Sequence, residues 1–169
     1  MFKSQISLYG KHAELLKKYS RDKQGEKVVF TVTDNEGKQK EIFLFDNYIQ
    51  GYMVSAMLGI YLGKTSQEDG NRSSEATIFA DILTKKKGDL DTIVEFMILT
   101  EKEENVDKKI RNAFSIDRDN EIELERRVTS YVRGGLEVID EWFGKCKTYE
   151  DVANQILLFN KNVLEVCRE

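Results

Sequence analysis

Three stretches of this sequence carry residue types at spacings that could do chemistry, and a fourth carries the only histidine. The run GYMVSAMLGIYLGKT, residues 51–65, ends in the Gly63-Lys64-Thr65 that closes a phosphate-binding loop and contains the Gly59-Ile60-Tyr61 that opens one nuclease signature. A phosphate loop needs four residues between its first glycine and Gly-Lys-Ser/Thr, so that consecutive backbone N–H groups close around the anion. Gly59 and Gly63 enclose only three residues, and position 58 is Leu. The nuclease signature needs a paired Tyr-Ile-Gly strand close behind, and none follows Tyr61. Neither motif is complete.

The acids come next. Asp117, Asp119 and Glu121 have the alternate spacing of a calcium loop, but Ile122 stands where the glycine of the turn belongs and Val128 where the bidentate acid belongs. A metal-dependent nuclease would place an upstream Asp beside a Glu-x-Lys, the acids holding Mg²⁺ and the Lys stabilising developing charge. Asp34, Glu36 and Lys38 fit those letters, with Asp22 as another upstream acid, yet they fall in a turn between strands. His12, between Lys11 and Glu14, reads as decoration on a solvated helix face, with no nucleophile elbow beside it. Cys146 and Cys167 are too few for a disulfide framework and lack zinc spacing, so they read as free thiols. No cofactor and no metal is expected.

Positive charge gathers in the first helix and the turn after it. Lys11, Lys17, Lys18, Arg21, Lys23 and Lys27 are the candidate nucleic-acid contacts, and Lys85-Lys86-Lys87 mark a helix C-terminus, where cations suit the dipole. Against them stands a formal net charge of -4 despite 26 Lys and Arg, which excludes a globally basic nucleic-acid binder. The longest apolar run, near residues 48–62, is shorter than the roughly 20 residues that span a bilayer. With 40% hydrophobic and 33% charged residues, the chain reads as an ordinary globular protein of the cytoplasm.

The elements that must position these residues follow from periodicity. Leu8, Leu15, Leu16 and Tyr19 predict a helix over 7–20, and alternation through Val28, Phe30 and Val32 predicts a strand. Asp34-Asn35-Glu36-Gly37 then turns the chain into a second strand, KQKEIFLF. Asp46 or Asn47 caps a helix that Gly63 ends, and residues 64–74 read as a loop. Further helices are predicted over 75–86, capped by Ser74; 90–102, capped by Asp89; and 106–114, capped by Asn105. A long helix starts near Asp119 and is interrupted at Gly134-Gly135, and a last one over 149–166 is capped by Thr148. The expectation is one α+β domain, mainly helical, with about six helices and one N-terminal β-hairpin. It spans 1–169: N-terminal helix and turn at 1–26, hairpin at 27–45 and helical body at 46–169.

Gly51, Ser55, Gly59 and Gly63 are each four apart, so on a helix they form one small ridge along which a second helix can approach closely. Glycine inside a helix is unfavourable by up to about 1 kcal/mol relative to Ala, so repeated glycines on one face imply a gain in packing.

The helix FDNYIQGYMVSAMLGIYLGK followed by SYVRGGLEVIDEWF resembles small uncharacterised accessory proteins encoded beside bacterial DNA-phosphorothioation and related phage-defence genes. Tyr131, Gly134, Gly135, Leu136 and Glu137 match the late motif of that family, and Leu58, Gly59 and Gly63-Lys64 match the earlier one, over about two thirds of the chain. The resemblance implies a setting, defence or DNA modification, and no reaction. The expected function is therefore a non-catalytic accessory or adaptor protein whose partners are other subunits of such a system. Homo-oligomerisation and weak nucleic-acid contact stay open, and the alternative is a metal-dependent nuclease built on Asp34, Glu36 and Lys38.

Overall fold

The computed structural model describes residues 1–22, 28–100, 106–114 and 121–166. It is an α+β fold dominated by helix, with seven helices and two small antiparallel sheets among the described residues. The central pair is α2 (Tyr48–Leu62) and α6 (Glu121–Phe143), which pack along much of their length. Around them lie α1 (Gly10–Tyr19), α3 (Ala80–Lys85), α4 (Lys87–Thr100), α5 (Val106–Phe114) and α7 (Tyr149–Val166).

The expected hairpin forms, but it is short. β2 (Thr31–Thr33) pairs with β3 (Gln39–Glu41), with Val32 opposite Lys40. After Ile42 donates to the Phe30 carbonyl, Leu44 and Phe45 turn their N–H groups to the carbonyl of Tyr19. The second strand thus ends because the end of α1 takes its donors. Phe45 then joins Tyr19, Phe30 and Val32 in a core shared with Val138, Ile139 and Phe143 of α6.

Two predicted helices are corrected, and they are corrected together. Residues 7–9 and 75–78, read as the starts of helices, belong to strands β1 (Ile6–Tyr9) and β4 (Glu75–Ile78), paired antiparallel with Leu8 opposite Ala76. Each segment alternates once its partner is known: Leu8, Ala76 and Ile78 are buried, while the hydroxyls of Ser7 and Thr77 meet across the pair at 2.9 Å. Gly10, at φ 55°, makes the sharp change from β1 into α1. The helix predicted over 75–86 is thereby cut to α3, and α4 starts at Lys87, ahead of the expected cap Asp89.

The expected interruption at Gly134-Gly135 is also corrected, because α6 runs unbroken through both glycines. Other expectations match. Asn47 caps α2, accepting from the Gln50 N–H, and α5 has the predicted bounds. Thr148 and Asp151 form a reciprocal capping box at the start of α7. No helix is long and apolar enough, among the described residues, to cross a membrane.

Candidate functional site

The small residues of α2 do not act as one ridge. Ser55 and Gly59 face α6, where a Cβ on Gly59 would overlap the Tyr131 carbonyl and a Cβ on Gly135 would overlap the Ser55 carbonyl. Gly51 instead makes room for Leu16 of α1 and for Phe45. Gly63 is no part of the contact: it is exposed, has open space around it, and ends α2 in the left-handed region at φ 62°. The chain leaving this cap turns back along α6, and the Lys64 carbonyl occupies the space that a Gly134 side chain would fill. The GG of the late motif is therefore a track for the end of α2 and the segment after it, and Leu136 of the same motif is fully buried.

That track sets out a polar cluster. The Ser66 N–H donates to the Ser130 carbonyl at 3.0 Å, and Arg133 Nε donates to the Ser66 carbonyl at 3.0 Å. Held there, the Ser66 hydroxyl donates to Glu137 Oε1 at 2.7 Å. The same oxygen accepts from Lys11 Nζ at 2.7 Å and His12 Nε2 at 3.0 Å. Asp69 accepts the Lys11 backbone N–H at 2.8 Å, tying the loop to the start of α1.

His12 corrects its sequence reading, because it is 0% exposed rather than solvated. The segment 64–69 and α6 cover it, and neither could be placed over α1 from local periodicity. Its Nδ1 is buried with no partner among the described residues. Burial holds the imidazole below its ordinary value, against the opposing pull of Glu137. For Glu137 burial favours the protonated acid, but the hydrogen bonds from Lys11, Ser66 and His12 outweigh it and hold the carboxyl down at about 2. This is not a nucleophile–base–acid relay. Such a relay places the imidazole between acid and hydroxyl, whereas here the carboxylate is central and accepts the serine's hydrogen bond itself. The cluster fixes three segments to one another.

The candidate nucleic-acid contacts have mostly intramolecular partners. Lys11 pairs with Glu137, and Lys18 pairs with Asp140 at 2.7 Å, where Tyr19 also donates. Lys17 is 6% exposed and reaches Ser74 Oγ, while Arg21 lies 3.7 Å from Asp46. Lys23 and Lys27 lie outside the described residues, as do Asp117, Asp119, Asn105 and Cys167. Lys85, Lys86 and Lys87 pair with Asp81, Asp89 and Asp91.

The alternative nuclease trio sits in the hairpin turn. Asp34 Oδ1 accepts the N–H groups of Glu36 and Lys38, its other oxygen meets Lys40 at 3.0 Å, and Lys38 meets Glu36 at 2.8 Å. These contacts build a turn. Among the described residues no three His, Cys, Asp or Glu side chains gather as metal ligands.

Two concavities escaped sequence reasoning. One is an apolar groove of about 580 Å³, walled by Met53, Val54, Met57 and Tyr61 of α2, Ile93 and Phe96 of α4, and Phe159 of α7. Its signal was present in α2, which is apolar around most of its circumference and so needs cover on every side. The other is a polar cleft of about 850 Å³ between the start of β1, residues 65–68 and the Arg126–Arg133 stretch of α6. Its signal is Arg126, Ser130 and Arg133 at helical spacing. Compared with family models, curated proteins and solved structures, the chain matches none of them.

Proposed function

We propose that this chain is a non-catalytic adaptor of the cytoplasm that works by protein contact, and that its apolar groove receives an amphipathic helix of the partner. The groove is the observation that carries the reading. Three helices wall it, leaving a trough rather than a flat patch, which is the shape that takes the apolar stripe of a fourth helix. Two methionines line it, and their flexible thioether side chains adapt to a partner's shape. Beside Phe159, α7 exposes Ile156, Leu157 and Leu158 and so extends apolar surface beyond the groove itself. Among the described lining residues Asp89 alone is charged, and Lys86 already meets it at 3.1 Å, so the groove itself offers apolar contact.

The partner's class comes from the resemblance of the α2 and α6 motifs to accessory proteins of phage-defence and DNA-modification systems: another subunit encoded beside this one. Co-expression of the neighbouring gene products with this chain tests the proposal. A stoichiometric complex is expected with the wild type and not with a Met57→Asp, Phe96→Asp double variant of unchanged helix content. A complex that survives the double change removes the groove from the interface. Loss of a homodimer in its place, read by light scattering, would make a second copy the occupant.

A further inference from the structure

We infer that residues 64–74 are a strap that His12 holds shut in its neutral form and releases when the imidazole takes a proton. None of these residues lines the apolar groove, so this switch and the protein-contact reading stand or fall separately.

The strap is made to detach without unfolding the rest. GKTSQEDGNRSS, residues 63–74, has no hydrophobic side chain, so lifting it away breaks polar contacts and gives up no apolar packing of its own. Both ends stay fixed when it lifts. At one end the Lys64 N–H bonds the Gly59 carbonyl at 2.8 Å, and at the other β4 is paired with β1. Between them the strap is tied by Ser66 to α6, by Asp69 to the Lys11 N–H of α1, and by Arg72 to the Tyr9 ring, 3.8 Å from its centre. The two helices are anchored independently of it, through Ala13, Leu16, Val132 and Leu136, all 0% exposed.

His12 sits under these ties. It is 0% exposed, and its Nε2 and the Ser66 hydroxyl share one oxygen of Glu137. An ionised carboxylate only accepts, so Nε2 carries the hydrogen and Nδ1 is the bare nitrogen. Nδ1 is buried with no partner among the described residues. A proton added there would make a buried N–H without an acceptor, on a ring that has become a cation. The carboxylate beside the ring is already matched by Lys11 at 2.7 Å.

The charges around the ring come from each element packed on it. Burial is the largest influence and keeps the imidazole neutral; Lys11 of its own helix and Arg133 of α6 add to that, while Glu137 of α6 and Asp69 of the strap pull the other way. β4 brings Glu75, which is engaged by the Ser7 and Thr77 hydroxyls, and α2 brings no charged residue. Glu137 and Asp69 are both held below the usual carboxylate range, so they keep their charge while the chain's single histidine titrates.

When the strap lifts, water reaches the ring and the proton binds at the ordinary value of 6.5. The open form thus binds more protons than the closed one, and each pH unit below 6.5 favours opening about tenfold until the closed form protonates in turn. Above that value the strap stays shut. Opening frees Arg133 Nε, Glu137 and the Lys11 N–H together, so the stretch of α6 from Ser130 to Glu137 is presented in an acidified setting alone.

Amide hydrogen exchange and imidazole NMR are the test, on the full chain without a histidine tag, so that His12 gives the one imidazole signal. Between about pH 7.5 and 5.5, protection of the Ser66 and Lys11 amides, corrected for intrinsic rates, is expected to fall about tenfold per pH unit below 6.5. It should lie about tenfold or more under that of Leu136 in the core of α6 and be insensitive to dilute urea, as a local opening is. The imidazole should be the Nε2–H tautomer at neutral pH and titrate below 6.5. His12→Gln should make the Ser66 protection independent of pH. Should that variant fail to fold, Ser66→Ala takes its place, lowering Lys11 protection severalfold at every pH with the slope unchanged. Exchange of Ser66 at the rate and urea dependence of Leu136 means that opening is global and overturns the proposal. So does a slope that persists in His12→Gln or vanishes in Ser66→Ala, or an imidazole that titrates at 6.5 or above.

Discussion

Two faces of α2 make opposite use of the same helix. On one, Ser55 and Gly59 bring the backbone against α6 so closely that no side chain fits between. On the other, Val54, Met57 and Tyr61 present large apolar side chains to an open groove. The closed face spends its small residues on position: it fixes where residues 64–66 run and so where Glu137 and Arg133 find their partners. The open face leaves apolar area uncovered, which a folded chain retains only against a gain elsewhere. Small residues here mark structure, and large ones line the groove proposed for a partner.

The closed face gives the largest expected effect. Gly59→Leu should abolish folding or lower stability by about 3 kcal/mol, the upper end for overpacking, because the obstacle is the Tyr131 carbonyl and not a side chain that can swing away. Gly135→Leu should do the same against the Ser55 carbonyl. Circular dichroism melts decide it. A wild-type melting temperature in either variant would show that the helices do not approach as described.

Next in size is the cluster that the closed face sets out. Glu137→Ala removes the shared acceptor of Lys11, His12 and Ser66 and leaves His12 buried with neither nitrogen partnered. A loss of about 1–3 kcal/mol in urea unfolding is expected. Lys17→Glu should also destabilise, since that side chain is buried at the back of α1 rather than free for phosphate.

The same two groups set a pH dependence. His12 has a folded-state affinity for protons below the unfolded one, so the unfolded chain binds more protons and stability falls as pH drops below the ordinary value of 6.5. Glu137, held at about 2 against an ordinary 4.5, contributes stability that is full above 4.5 and lost between there and about 2. Unfolding midpoints from pH 7 to pH 3 should therefore decline in two stages, and His12→Gln should remove the first. A flat profile from pH 7 to pH 5 in the wild type would mean that His12 is solvated after all.

Much of the helical body was legible because its signals are local. Asn47 and Gly63 bound α2, Thr148 and Asp151 cap α7, and each acts within four residues of itself. The β1–β4 pair was not legible, since Leu8 and Ala76 are 68 positions apart and each segment alone has a helix-compatible pattern. The site was half legible. The glycines announced a close contact, but which helix lay against them came only from the fold. Gly134-Gly135 looked like a break because propensity is a weak prior that packing overrides. Glu137 stood in the motif without a stated role, because its partners come from α1 and from residue 66.

A smaller effect separates glycine used for space from glycine used for conformation. Gly63→Ala meets no neighbour, so only the left-handed backbone is strained and about 1 kcal/mol should be lost. Gly63→Asn should recover part of it, since Asn tolerates that region better. At Gly59 the same Ala would still overlap a carbonyl, and no choice of residue would help.

The smallest effect belongs to the open face, and it is the one that could collapse the comparison. Met57 is 38% exposed and borders the groove, so Met57→Ala removes apolar area that solvent already touches. A fully buried methionine loses about 2–5 kcal/mol on truncation, because its neighbours stay put around a cavity. At Met57 there is no closed cavity to leave, and a change within about 0.5 kcal/mol is expected, as for exposed positions generally. Affinity for a helical partner should fall at the same time, separating stability from binding in one variant. If Met57→Ala instead melts as early as a core truncation, the groove is covered in the free chain and the two faces of α2 are both structural.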